Sequence, residues 1–237
     1  MIGSFLNVVI YRVPLGISIA KGRSYCPSCN TQLKNYDLIP IFSYLFLRGK
    51  CRKCGSKISL RYPLVELVTG ILAVFIFLIV GFSWQAVLIF AVTAIMLAIS
   101  LIDLDTMTIP NGLLIALIPF ITGLFFLQPE LALLARIIGF LALSLPMFLL
   151  NFVVEDSFGG GDIKLMALAG FMLGWQQTLV AFFIALMLGG SLATYLLLTK
   201  QKEKGSHIPF GPYLCIGIFL ALLFGEKLLS WYLNLLF

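Results

Sequence analysis

The sequence predicts an all-α polytopic membrane protein, with about seven to eight transmembrane helices and a small cytoplasmic zinc-ribbon-like loop domain. Three observations carry that prediction. Only 11% of the 237 residues are charged while 61% are hydrophobic, with a mean hydropathy of +1.07, against roughly 25% charged in ordinary soluble domains. The apolar runs are continuous and do not alternate, which suits helices and not barrel strands. Four cysteines stand in two Cys-x2-Cys pairs inside the most basic part of the chain.

The first stretch, MIGSFLNVVIY, has eleven residues before the first charge and lacks both a basic leader region and a small-residue cleavage site. It is not a signal peptide. At about 1.5 Å per residue it is too short to cross about 30 Å of hydrocarbon, so residues 1–11 are expected to be the cytoplasmic end of a shortened first membrane helix. Residues 12–62 are read as the four-cysteine loop domain and residues 63–237 as a transmembrane domain. Within the latter the candidate spans are approximately 64–82, 84–102, 112–127, 132–154, 162–175, 177–198 and 211–225.

Ten of the 16 basic residues lie between Arg12 and Arg61, where Asp37 is the only acid, and Lys200, Lys202 and Lys204 sit in the last long loop. The positive-inside rule puts both loops in the cytoplasm. Alternating the spans from there leaves the turns at 81–83, 128–130 and 175–177 outside, and the segments at 103–111 and 155–162 inside. The net charge of +6 is thereby explained by orientation and by attraction to anionic headgroups. Nucleic acid is not an expected partner, because no aromatic-interleaved RNA or DNA module accompanies the basic residues.

Cys26, Cys29, Cys51 and Cys54 form CPSC, 21 intervening residues, then CRKC. Four thiolates at that spacing suit a tetrahedral zinc ion, and a reducing cytoplasm disfavours paired disulfides. Four sulfur ligands leave no open position, so the zinc is expected to be structural. Cys215, inside an apolar span, reads as a small buried hydrophobe.

Charges in or beside spans are costly and need a reason. Glu130, Arg136 and Lys227 sit near predicted helix ends, where snorkelling suffices; Glu66 lies one turn inside the span that follows RYPLVE. Asp103 and Asp105 end one span in SLIDLDTMTIPN, and Asp162 opens a later one after Gly159, Gly160 and Gly161. Two carboxylates brought to one membrane face from different helices can share a proton, one acting as base toward a water and the other as acid toward a carbonyl.

The three glycines tolerate positive φ and leave room for an extended peptide beside Asp162. Lys164 could stabilise a carboxylate or hold a partner strand. The plain alternative is a flexible turn with a helix-capping aspartate. Residues i and i+2 point about 200° apart on a helix, so only one of Asp103 and Asp105 can face a partner; composition does not choose between them. Pro110 keeps Ile109 extended, and Asn111 is expected to cap the next helix.

Taken together these residues resemble a family, the prepilin peptidases or type IV leader peptidases, which are membrane aspartic proteases of the GxGD kind. The resemblance rests on GSFLNVVIYRVP at 3–14, the two Cys-x2-Cys pairs, RYPLVE at 61–66, D-x5-IPN from Asp103 to Asn111, GGGDIKL at 159–165 and IPFGP at 208–212. It implies that Asp103, six residues before the isoleucine of IPN, and Asp162 are the catalytic pair. It also implies zinc on the four cysteines, and substrates that are type IV prepilins and pseudopilins, cut at the cytoplasmic face of a bacterial inner membrane after the glycine ending a short basic leader. Many members then methylate the new amino terminus with S-adenosylmethionine; no Rossmann-type motif is present here, so that second activity follows from the resemblance alone, with its residues unassigned.

Two other functions fit the composition less well. A proton-coupled transporter with a zinc-binding regulatory loop would place its acids near the bilayer midplane on broken helices, whereas these stand at span ends. A noncatalytic scaffold using the zinc loop to bind a partner leaves the paired acids unexplained.

Overall fold

Helix follows wherever the chain offers a long apolar run, because only intrahelical bonding satisfies backbone groups in hydrocarbon. The computed structural model describes residues 1–20, 22–154, 157–199 and 208–236. Lys21, Lys200, Lys202 and Lys204 of the charge argument lie outside the described residues, as do Glu155 and Asp156 of the 155–162 segment. Among the described residues there are ten α-helices and two isolated β-bridges, and no strand. Five helical stretches are long and apolar enough to cross a membrane: Arg61–Val80, Trp84–Thr106, Leu133–Val153, Trp175–Leu198 and Gly211–Leu235. The chain divides into two compact units, Met1–Leu78 and Ile79–Phe237.

In the first unit, α1 (Ile2–Arg12) packs on α3 (Arg61–Val80). Gly3 permits the approach, since a Cβ there would stand 2.8 Å from the Cα of Glu66. Asn7 Nδ2 donates to the Tyr62 carbonyl at 3.1 Å. Arg12 is buried at the C-terminus of α1, where a cation suits the helix dipole, and its guanidinium donates to the carbonyls of Ser18, Gly22 and Arg23. The loop is therefore folded back on the helix that precedes it. A 3-10 turn (Asn35–Leu38) and the short α2 (Phe42–Phe46) complete the unit.

In the second unit, α4 (Trp84–Thr106) starts at Ser83, whose hydroxyl accepts from the Ala86 N–H at 3.1 Å. It runs past the expected end at residue 102 and stops at Met107, which is left-handed (φ 52°) with its N–H on the Asp103 carbonyl. Then come α5 (Asn111–Leu127), α6 (Leu133–Ala142), α7 (Ser144–Val153), α8 (Gly160–Leu173), α9 (Trp175–Leu198) and α10 (Gly211–Leu236). The apolar run expected as one span over 132–154 is two helices broken at Leu143; Pro146 lies in the first turn of α7, where its missing N–H costs least. The last helix continues through Glu226 and Lys227 instead of stopping at residue 225, because two charges do not break a helix.

Small residues set the close crossings, as expected where lipid supplies no hydrophobic drive between helices. Gly139 of α6 and Gly170 of α8 face each other's carbonyls, and a Cβ on either would collide with the other backbone. α10 packs against α9, α4 and α8.

One expectation about charge is corrected here. Arg136 does not snorkel: it is 0% exposed. Its guanidinium donates to the carbonyls of Gln128 (2.9 Å), Leu131 (3.3 Å), Phe171 and Met172 (3.4 Å each), and lies 5.1 Å from the Phe125 ring centroid. It joins the C-terminal ends of α5 and α8, where carbonyls lack intrahelical donors.

Candidate active site and metal centre

α4 ends and α8 and α10 begin at the same end of the second unit, and these termini carry the acids. Asp103, on the last turn of α4, is 5% exposed, and its Oδ2 accepts the Gly211 N–H at 3.0 Å. That donor is one of the free N–H groups opening α10. Gly211 must be glycine for this contact, since a Cβ would lie 2.7 Å from Asp103 Oδ2. Asp105, two residues on, is exposed. The alternative left open by spacing is resolved in favour of Asp103 as the inward-facing carboxylate.

Asp162 is the third residue of α8. Its Oδ2 lies against Gly159, where an acid at this helix position reaches back toward the cap. The capping alternative thus accounts for one side of the carboxylate only. Oδ1 is buried with no hydrogen-bond partner, and the charge of Asp103 acts on Asp162. Cys215, buried on α10 beside Ser100, lies within reach of both charges.

The three glycines differ in what surrounds them. None of Gly159, Gly160 and Gly161 has positive φ. Gly161 is needed because Ile109 fills its side-chain space, with a Cβ 2.6 Å from the Ile109 Cβ, and Gly160 has open space. Lys164 Nζ donates to Asn111 Oδ1 at 2.9 Å. Asn111 accordingly does not cap α5, whose cap residue is Pro110. The segment after Asp103 is thus tied to the helix carrying Asp162 twice, by Ile109 on Gly161 and by Asn111 on Lys164.

Three supports were not singled out from sequence. Asn151 pins the turn before α8, donating to the Phe158 carbonyl (2.8 Å) and accepting from the Phe158 N–H (2.9 Å) and the Ser157 hydroxyl (2.7 Å). Phe158, Phe182 and Phe210 form a three-ring cluster with centroids 6.1 to 6.5 Å apart, seating the approach to Gly211. The third is Gly211 itself. A lone asparagine in the apolar run before GGGD, and the glycine inside IPFGP, were the available signals.

In the first unit, Cys26, Cys29, Cys51 and Cys54 come together with their sulfurs all within 4.8 Å of one another. Their two halves repeat one geometry. Cys26 accepts from the Asn30 N–H and donates its own N–H to the Thr31 carbonyl; Cys51 does the same with Gly55 and Ser56. Asn30 (φ 52°) and Gly55 (φ 72°) take the left-handed turn that each knuckle needs, conformations that asparagine and glycine tolerate. Isolated bridges Tyr25 to Gln32 and Lys50 to Lys57 close the two knuckles.

Four free thiols so gathered fit a tetrahedral metal, for which sulfurs bound at about 2.3 Å stand about 3.8 Å apart; Cys26 and Cys54 are at 3.9 Å. The Cys26 thiol is lowered to about 6, chiefly by the Ser28 backbone N–H and then by the Ser56 hydroxyl, and Cys54 is also lowered, first by Ser56. Both shifts favour the thiolate that binds metal, whereas Cys51 is raised, the Cys54 and Lys53 backbone N–H groups being outweighed by burial and the Cys54 and Cys26 thiols.

Two acidic side chains at one end of a helical bundle, in a chain with five helical stretches long and apolar enough to cross a membrane and a separate four-thiol centre, suit a polytopic membrane peptidase. The Bacterial Peptidase A24 N-terminal domain matches residues 1–80, and the Type IV leader peptidase family matches residues 90–194. Prepilin leader peptidase/N-methyltransferases from Stutzerimonas stutzeri, Bacillus subtilis strain 168 and Pseudomonas aeruginosa PAO1 are 36%, 34% and 35% identical to the chain. Each alignment covers 99% of this chain, and 91%, 95% and 90% of those proteins respectively. The chain belongs to the type IV leader peptidase family. No solved structure gives a significant match.

Proposed function

We propose that the chain removes the short basic leader of type IV prepilins and pseudopilins, using a water held between Asp103 and Asp162. The observation that carries this reading is the buried Asp162 Oδ1 without a protein partner, on a carboxylate that feels the charge of Asp103, itself held by a fixed donor. A buried polar atom left unpaired is costly and in native proteins has a reason. A water, or a proton shared with that water, supplies one.

The two aspartates differ in what surrounds them, and that difference suggests their roles. An ionised carboxylate only accepts, which suits Asp103 with the Gly211 N–H directed at it; a protonated one must donate, which suits Asp162 Oδ1. Asp103 takes a proton from water as the oxygen attacks the scissile carbonyl carbon, and Asp162 gives its proton to the carbonyl oxygen. The tetrahedral diol then collapses: one hydroxyl returns its proton to Asp162 as the carbonyl re-forms, the C–N bond breaks, and the proton on Asp103 passes to the departing amine. The net change is one water added across one peptide bond.

The basic segment from Arg12 to Arg61 supports an active end facing the cytoplasm of a bacterial inner membrane. Zinc is the proposed metal of the cysteine cluster, held by Cys26, Cys29, Cys51 and Cys54 as a staple. When bound, it fixes the two knuckles together. Methylation of the new amino terminus with S-adenosylmethionine is proposed from the relatives' names. No residue is assigned to the methyl donor. A proton-coupled transporter has no support in the family, and the acids stand at helix ends.

Asp103→Asn and Asp162→Asn should each lower cleavage of a prepilin in proteoliposomes by about 10² to 10⁴, the usual worth of a general acid or base. Asp105→Asn should stay within about threefold of wild type, since that side chain is exposed. Full activity in either of the first two variants would refute the pair.

A further inference from the structure

Helix α2 turns a wholly apolar face outward. Phe42, Leu45 and Phe46 stand at i, i+3 and i+4, the spacing that shares one side of a helix, and are 62%, 64% and 83% exposed. The backbone is turned hard to present them. Ile41 lies at φ 62°, ψ −51°, with the Phe42 N–H on the Pro40 carbonyl at 2.6 Å, a strained γ-turn for a β-branched residue.

Placement, chemistry and charge together say what this face meets. The Ile41 N–H donates to Glu66 Oε2 at 2.8 Å, and Glu66 lies in the second turn of α3, a helix long and apolar enough to cross a membrane. Its 20 residues at about 1.5 Å each reach only about 30 Å, the hydrocarbon thickness. The N-terminus of α3 therefore lies at the headgroup boundary, and α2 is bonded to α3 about 7.5 Å from it, within the about 5 to 10 Å to which interfacial helices insert. Exposed Arg48 and Lys50 follow the apolar face, the pairing of aromatic and basic side chains found in segments that lie in that boundary. Asp37, the only acid from Arg12 to Arg61, is engaged by Arg52 at 2.7 Å, so anionic headgroups complement the surplus of cations.

We propose that α2 is an interfacial wedge: Phe42, Leu45 and Phe46 insert into the headgroup boundary of an anionic phospholipid bilayer and hold the cysteine domain against the membrane surface. Full-length protein in nanodiscs of phosphatidylethanolamine and phosphatidylglycerol, with photoreactive p-benzoylphenylalanine in place of Phe46, tests this. The same probe in place of Ile71, 58% exposed on α3, sets the signal for full lipid contact. Irradiation should give a phospholipid-mass adduct at position 46 within about twofold of that at 71, unchanged by added prepilin. Absence of a lipid adduct at 46 while 71 forms one overturns the proposal. So does crosslinking of position 46 to added prepilin or to a second copy in place of lipid. Bound metal in each labelled protein reports that the domain has folded, and Leu45 carries the probe if substitution at Phe46 loses the metal.

Discussion

Asp103 and Asp105 are two residues apart and differ in one decisive respect, since the first is buried against the Gly211 N–H and the second is exposed. Helical phase alone states that only one can face inward; choosing it needs the contact with residue 211, which is 108 positions away. Lys164 was opaque for the same reason, because its partner Asn111 is 53 residues distant. That bond ties the two aspartate-bearing segments, so Lys164→Ala should lower kcat by about tenfold, the scale of one charged hydrogen bond, with a smaller change in KM. Asn111→Ala should match it, and the double variant should be no worse than either single one, the signature of a shared interaction; steady-state kinetics on a prepilin peptide checks both. Arg136 is the clearest failure of residue-level reading, because a lone cation near a span end ordinarily reaches water. Arg136→Met strips donors from four carbonyls, that of Met172 buried, and should lower the melting temperature in detergent by several degrees, at about 1 to 3 kcal/mol for a buried orphaned group, while cleavage at low temperature persists.

The elements were legible in proportion to their own sequence content. The long spans followed from hydropathy alone. The break at Leu143 was hidden inside one continuous apolar run, and the extension of α4 beyond residue 102 was hidden because Asp103 and Asp105 lower hydropathy without ending a helix. The cysteine knuckles were the most readable element, since Asn30 and Gly55 occupy the same left-handed position in each. Their electrostatics make a prediction of sign. Cys26, lowered from 9.0 to about 6, favours the folded, thiolate-bearing loop most above its ordinary value, and that contribution declines with falling pH and is gone below about 6. Acid should therefore release the metal, and Ser56→Ala, which removes a hydroxyl bonded to both Cys26 and Cys54, should move the release midpoint to higher pH. A metal-indicator dye followed through an acid titration gives both midpoints, and an unchanged midpoint in the variant would contradict the role given to Ser56. Cys51→Ser should abolish metal content by elemental analysis.

At the scale of the whole chain, membrane character was written in composition, and orientation was inferred from the distribution of lysine and arginine. What composition does not carry is convergence: D-x5-IPN, GGGD and IPFGP are three separate stretches, and only folding brings Asp103, Gly161 and Gly211 to one end of a bundle. Two family models match the chain, one over residues 1–80 and one over residues 90–194. The most direct measurement of the central claim is the intact mass of a prepilin coexpressed in a host lacking its own leader peptidase. The wild-type chain should yield the mature pilin with its leader gone and one methyl added, and Asp103→Asn and Asp162→Asn should each leave the leader in place. Mature pilin appearing with either variant at the wild-type level, or no leader removal with the wild-type chain, would contradict the account.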